Sequence, residues 1–128
     1  MKRLSEQGYW ESIYRSSLAR DAQGGNWRTR LRDAMRNYPN FLIWEKIFPK
    51  YLTGKTGQSV LEIGCAPGNY LVAFSSYFKM EPYGLEYAPS GVQATRERFE
   101  KAGLDPAHIM EADFFDDAFL NAHAEQFD

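Results

Sequence analysis

Val60-Leu61-Glu62-Ile63-Gly64-Cys65-Ala66-Pro67-Gly68 is the stretch whose reading decides the fold. An apolar strand, Ser59 to Ile63, carries one acid and breaks into a turn bounded by Gly64 and Gly68. Each glycine lets the backbone pass close to a ligand with no Cβ in the way, and Pro67 stiffens the loop between them. A turn of this kind, leading from a buried strand into a helix, has the form of a nucleotide-type cofactor loop.

Downstream the pattern alternates. A helix is expected over Tyr70 to Phe78, a second strand over Tyr83 to Tyr87, and a helix from Pro89 to a left-handed terminator at Gly103. Asp105-Pro106 turns the chain into a third strand, His108 to Ala112, and Asp116 caps a short helix reaching to about Glu125. Alternation of strand and helix implies a parallel sheet with right-handed crossovers, a doubly wound α/β fold. Upstream, Tyr9, Trp10, Ile13, Tyr14 and Leu18 recur at helical spacing, and the Gln23 to Asn26 stretch, with Gly24 and Gly25 as a hinge, breaks that helix. Phe41, Leu42, Trp44, Glu45, Ile47 and Phe48 form a second amphipathic segment that ends at Pro49 or slightly beyond, and Thr53 to Gly57 is a loop. The aromatics Tyr9, Trp10, Tyr14 and Trp27 are read either as core or as a lid over the site.

The chain has 128 residues, 44% of them apolar, which suits one small globular domain. No apolar run approaches the roughly 20 residues needed to span a bilayer, and Met1 to Gln7 lack the apolar stretch of a secretory signal, so a cytoplasmic protein is expected. The single Cys65 excludes an internal disulfide, and the Cys and His content offers no zinc cluster, so no metal is expected. Charge is unevenly distributed: residues 1–50 carry ten Lys and Arg against five Asp and Glu, and residues 51–128 carry five against twelve. Arg28, Arg30, Arg32 and Arg36 beside Trp27 hint at an anionic acceptor, with nucleic acid as the weaker reading and a solvated helix face as the plain one.

Glu86, at the end of strand two and 22 residues after Gly64, has the placement of a carboxylate that accepts both hydroxyls of a ribose. A dinucleotide fold wants Gly-x-Gly-x-x-Gly, and Ala66 and Asn69 stand where its second and third glycines belong, which disfavours an oxidoreductase. The stretch resembles motif I of the class I S-adenosylmethionine-dependent methyltransferases: Glu62, Gly64 and Gly68, with Ala66 at the middle small position. Gly84-Leu85-Glu86-Tyr87 is similar to that family's ribose-binding end of strand two, and Glu111-Ala112-Asp113-Phe114 to its adenine-binding turn after strand three.

The resemblance covers about residues 38–128 and implies a Rossmann-like methyltransferase fold with three parallel strands in the order 3-2-1, flanking helices and an N-terminal helical segment. It implies S-adenosylmethionine as cofactor and S-adenosylhomocysteine as product, with the loop Gly64, Cys65, Ala66 and Gly68 giving backbone contacts. Glu62 then orients the loop and the methionine amino group, and Glu86 holds the ribose. Asp113 accepts from the adenine amino group, and Tyr87 and Phe114 offer apolar faces to the ring. Cys65 is read as a packing residue rather than a nucleophile, and His108 and His123 as lying outside the site.

The division implied is 1–50 as a helical lid or cap and 51–128 as a partial cofactor-binding domain ending before strand four. In the resembled family the acceptor-side groups lie at and after strand four, which typically begins with Phe-Asp followed by apolar residues; the chain ends Gln126-Phe127-Asp128, so no catalytic residue is named. The family's strand order leaves strand one as an apolar edge, from which a dimer paired strand one to strand one about a two-fold axis is expected. The alternative to a methyltransferase part is a non-catalytic binding or self-assembling module derived from one.

Overall fold

The computed structural model describes residues 7–13 and 42–124. Within them lies a three-stranded parallel sheet: β1 (Ser59–Ile63), β2 (Glu81–Glu86) and β3 (Ile109–Glu111), in the spatial order β1-β2-β3. This is the 3-2-1 order expected, with β2 in the centre. Ile63 pairs with Leu85, and Gly84 with Ile109, so the three strands end at one edge of the sheet. A helix α1 covers residues 7–13, and a π-helical turn, Ile43–Ile47, runs into α2 (Phe48–Leu52). Between β1 and β2 lies α3 (Asn69–Ala73), continued by a π-helical turn at Phe74–Phe78. The long helix α4 (Pro89–Ala102) joins β2 to β3, and α5 (Asp117–Ala122) follows β3. The architecture is a partial Rossmann-like α/β fold.

Both crossovers, β1 to β2 and β2 to β3, step the same way, so their helices fall on one face. Leu71 of α3 and Val92 and Phe99 of α4 close over Cys65 and Ile109 in a single buried cluster, with Val60, Val72 and Leu104 at its margin. A doubly wound arrangement needs a connection that winds the other way, and neither crossover does. At the centre of the packed face is Gly84. A Cβ there would lie 2.6 Å from Cys65 Sγ and 2.9 Å from both Ile109 Cδ1 and Leu71 Cδ1, so the strand carries a glycine because the helices press against its backbone.

Element ends differ from the sequence reading for identifiable reasons. β2 starts at Glu81, with Pro82 inside it; β3 reaches only as far back as the partner of Gly84, so on that side no ladder bond is asked of the missing N–H. β3 is shorter than His108 to Ala112 because Asp105 accepts from Ala107 N and folds Pro106–His108 into a 3-10 turn. The helix over 42–52 ends slightly beyond Pro49, as expected; Pro49 sits in the first turn of α2, where an imide costs no hydrogen bond. The last helix stops at Ala122, short of Glu125, with Asp116 capping it through Ala118 N as expected. Gly103, at φ 71°, ends α4 as expected. The expectations for Tyr14, Leu18, Gly24, Gly25, Trp27, the four arginines and the chain end at 125–128 lie outside the described residues.

Replacing Gly84 with Ala is expected to destabilise the fold by about 1–3 kcal/mol through overpacking alone. The cost should shrink in a Cys65→Ala background, which removes the nearest atom. Equilibrium urea unfolding of the two single variants and the double variant measures that coupling.

Candidate functional site

Three loops leave the carboxyl edge of the sheet: Gly64 to Gly68 after β1, Tyr87 and Ala88 after β2, and Ala112 to Asp116 after β3. One residue ties them together. Glu86 is 4% exposed, and its Oε1 accepts from the N–H groups of Tyr87 and Ala88, each at 2.9 Å. Its Oε2 accepts from Ala66 N at 3.2 Å, and its backbone carbonyl accepts from Ala112 N, also at 3.2 Å. The first loop is pinned further by Gly64 N and Cys65 N, which both donate to Leu85 O at 2.8 and 3.3 Å. A buried carboxylate is tolerated because these backbone donors replace water.

The two glycines of the loop serve different ends. Gly64 has φ 73° and open space where a Cβ would stand, so its ligand side is unobstructed. Gly68 has φ 82° and is buried; a Cβ there would lie 2.7 Å from Thr95 Cγ2 on α4. Its lack of a side chain serves helix packing. Cys65, 3% exposed, turns its thiol into the core, and burial, with the nearby carboxylates of Glu86 and Glu62, pushes it up to about 12. A thiol held that high is no nucleophile at neutral pH.

Glu62 lies beneath the loop on β1. Its Oε2 is buried with no hydrogen-bond partner, and burial raises its pKa to about 7. A half-desolvated carboxyl with one unsatisfied oxygen is an acceptor waiting for a donor, and a cation is the donor that satisfies it best. On the third loop, Asp113 Oδ1 accepts from Phe115 N at 3.0 Å and so caps its own turn. Phe114 is 38% exposed and meets Phe115 edge to face, with ring centroids 5.7 Å apart.

Two residues not anticipated as part of the site come from α1. Gln7 Nε2 donates to Tyr87 O at 3.0 Å, and Glu11 Oε1 accepts from Ser90 N, in the first turn of α4, at 2.9 Å. An open cavity of about 520 Å³ lies between α1 and α4, lined by Gln7, Glu11, Ser90 and Gln93 among others. The signal was present as a polar pair at i and i+4, which share one helix face. Among the described residues no group of His, Cys, Asp and Glu is arranged to hold a metal ion, and no helix is long and apolar enough to cross a membrane.

Glu62 yields a pH dependence with a definite sign. The native state holds its proton up to about pH 7, the unfolded chain only to 4.5, so native protein binds more protons in between. Stability is then full below pH 4.5 and falls as pH rises through 7. Glu62→Gln should flatten that segment of the stability profile and be the more stable protein at pH 8, measured by urea unfolding at several pH values.

No protein-family model matches this chain, and no curated protein matches it.

Proposed function

We propose that the chain is the S-adenosylmethionine-binding part of a class I methyltransferase, and that the three loops at the carboxyl edge of the sheet form the cofactor site. The observation that carries this reading is the unsatisfied, buried Oε2 of Glu62 beside a positive-φ glycine with open space above it. An amino-acid ammonium supplies the missing donor, and the glycine admits the ligand to the backbone. When bound, the cofactor supplies a methyl group on a sulfonium, activated for in-line displacement.

The remaining work falls to this chain's side chains. Glu62 accepts from the methionine ammonium, which favours its ionised form. Glu86 meets the ribose while keeping the backbone bonds that hold the loops. Asp113 accepts from the adenine amino group while capping its own turn, and Tyr87 and Phe114 flank the ring. Helix α1, fastened at Tyr87 and Ser90, belongs to the wall beside the ribose, in keeping with a lid or cap. The methyl acceptor is a separate molecule.

A second reading draws on one observation. Among the described residues β1 is an edge strand and its Ile63 is 51% exposed, the geometry that favours pairing with a second copy. On this reading the chain is a self-assembling module, and sedimentation at micromolar concentration separates a dimer from a monomer.

Calorimetric titration with S-adenosylmethionine tests the lead reading. Saturable binding is expected, tightening from pH 6 to pH 8 as Glu62 ionises. Glu62→Gln and Asp113→Ala should each weaken it by about tenfold, the equivalent of about 1.4 kcal/mol. A folded protein that takes up no cofactor overturns the reading.

A further inference from the structure

Among the described residues the richest aromatic surface is not at the loops of the sheet's carboxyl edge. It lies where the 43–52 segment packs along α3. Trp44 sits at its centre, its ring 5.8 Å from Tyr70 at 25° and 6.1 Å from Tyr77 at 39°. Phe48, Phe74 and Phe78 close the inner side of this stack. The outer rings face water: Tyr70 is 41% exposed, Tyr77 74% and Tyr51 64%. Tyr70 in α3 and Tyr77 in the π-helical turn that continues it both pack against Trp44, so the two rings border one side of this helical run.

The two helical segments and the residue that ends α3's π-turn carry Lys46, Lys50 and Lys79, all exposed, against one carboxylate, Glu45. Lys50 Nζ lies 5.2 Å over the Tyr51 ring. Residues 51–128 carry twelve Asp and Glu against five Lys and Arg, so within that half an anionic partner is drawn towards the lysine-bearing end rather than the acidic remainder. Exposed tyrosines and exposed lysines on the same two helical segments suit a polyanion that also offers flat rings. Phosphates meet the ammonium groups, and unpaired bases stack on the phenols without regard to sequence.

We propose that this face binds single-stranded nucleic acid, with bases on Tyr51, Tyr70 and Tyr77 and phosphates on Lys46, Lys50 and Lys79. Tyr70 lies two residues beyond Gly68, so a strand following the aromatic stripe runs up to the glycine loop. The inference goes beyond cofactor binding and makes nucleic acid the class of methyl acceptor.

The test is fluorescence anisotropy of a labelled oligothymidylate of about 20 nucleotides with the whole chain and no cofactor, between about 50 and 200 mM salt. Saturable binding is expected that weakens steeply with salt and exceeds that of a duplex of equal length. Tyr77→Ala and Tyr51→Ala should each lower affinity by roughly tenfold, since one stacked base contributes on that order. Neither ring is buried, so both variants should melt with the parent. Lys46→Gln with Lys50→Gln should reduce the slope of log affinity against log salt by about 1.4. Absence of binding by folded protein overturns the proposal. So does binding that these four substitutions leave unchanged, or a Tyr77→Ala effect on sedimentation without one on oligonucleotide affinity, which makes the face a contact between copies. Because no cofactor is present, failure here leaves the calorimetric result standing.

Discussion

The Glu86 carboxylate is the constraint on which the rest of the site depends. Three loops that are distant in sequence are each bound through backbone N–H groups by this one buried residue, by its carboxylate in two of them and by its carbonyl in the third. Hydrogen bonds to a charged acceptor contribute roughly 1.5–3 kcal/mol each, and removing the acceptor leaves buried donors with nothing in return. A ribose-binding role for Glu86 is therefore secondary in energy to its structural one. Loss of ligand binding on its removal reports collapse of the loop arrangement as much as loss of a contact, and the site is better probed at Glu62 and Asp113.

That arrangement stands on close backbone approach. Gly84 lets Cys65, Leu71 and Ile109 meet over β2, and Gly68 lets the loop end press against Thr95. The two glycines of the first loop thus divide the labour: Gly64 has open space where a Cβ would stand and Gly68 fixes the loop to α4. Cys65 belongs with the core, where its thiol fills the space over Gly84. Polar chemistry is left to Glu62, whose desolvation is maintained by the same packing.

Much of this was legible in the sequence. The glycine turn, the Asp116 cap and the Gly103 terminator follow from local chemistry, where the residue type dictates the backbone it adopts, whereas the strand order was implied by the family resemblance. Less legible were features decided by partners far away in the chain. The inward turn of Glu86 depends on Ala66, 20 residues before it, and the docking of Gln7 and Glu11 depends on Tyr87 and Ser90, about 80 residues on. The last helix ends at Ala122 rather than near Glu125 because an acid cap fixes only a start. The aromatic stripe of Tyr70 and Tyr77 reads as an ordinary amphipathic helix until Trp44 is seen to occupy the groove between them.

The central claim is that the three loops bound by Glu86 form one pocket for a sulfonium nucleoside. Amide chemical-shift mapping by NMR during titration with S-adenosylmethionine tests it most directly. The account predicts perturbations gathered at 62–68, 86–90 and 112–115, saturating together with a single affinity. Perturbations confined to one loop, or centred away from the carboxyl edge of the sheet, would contradict it.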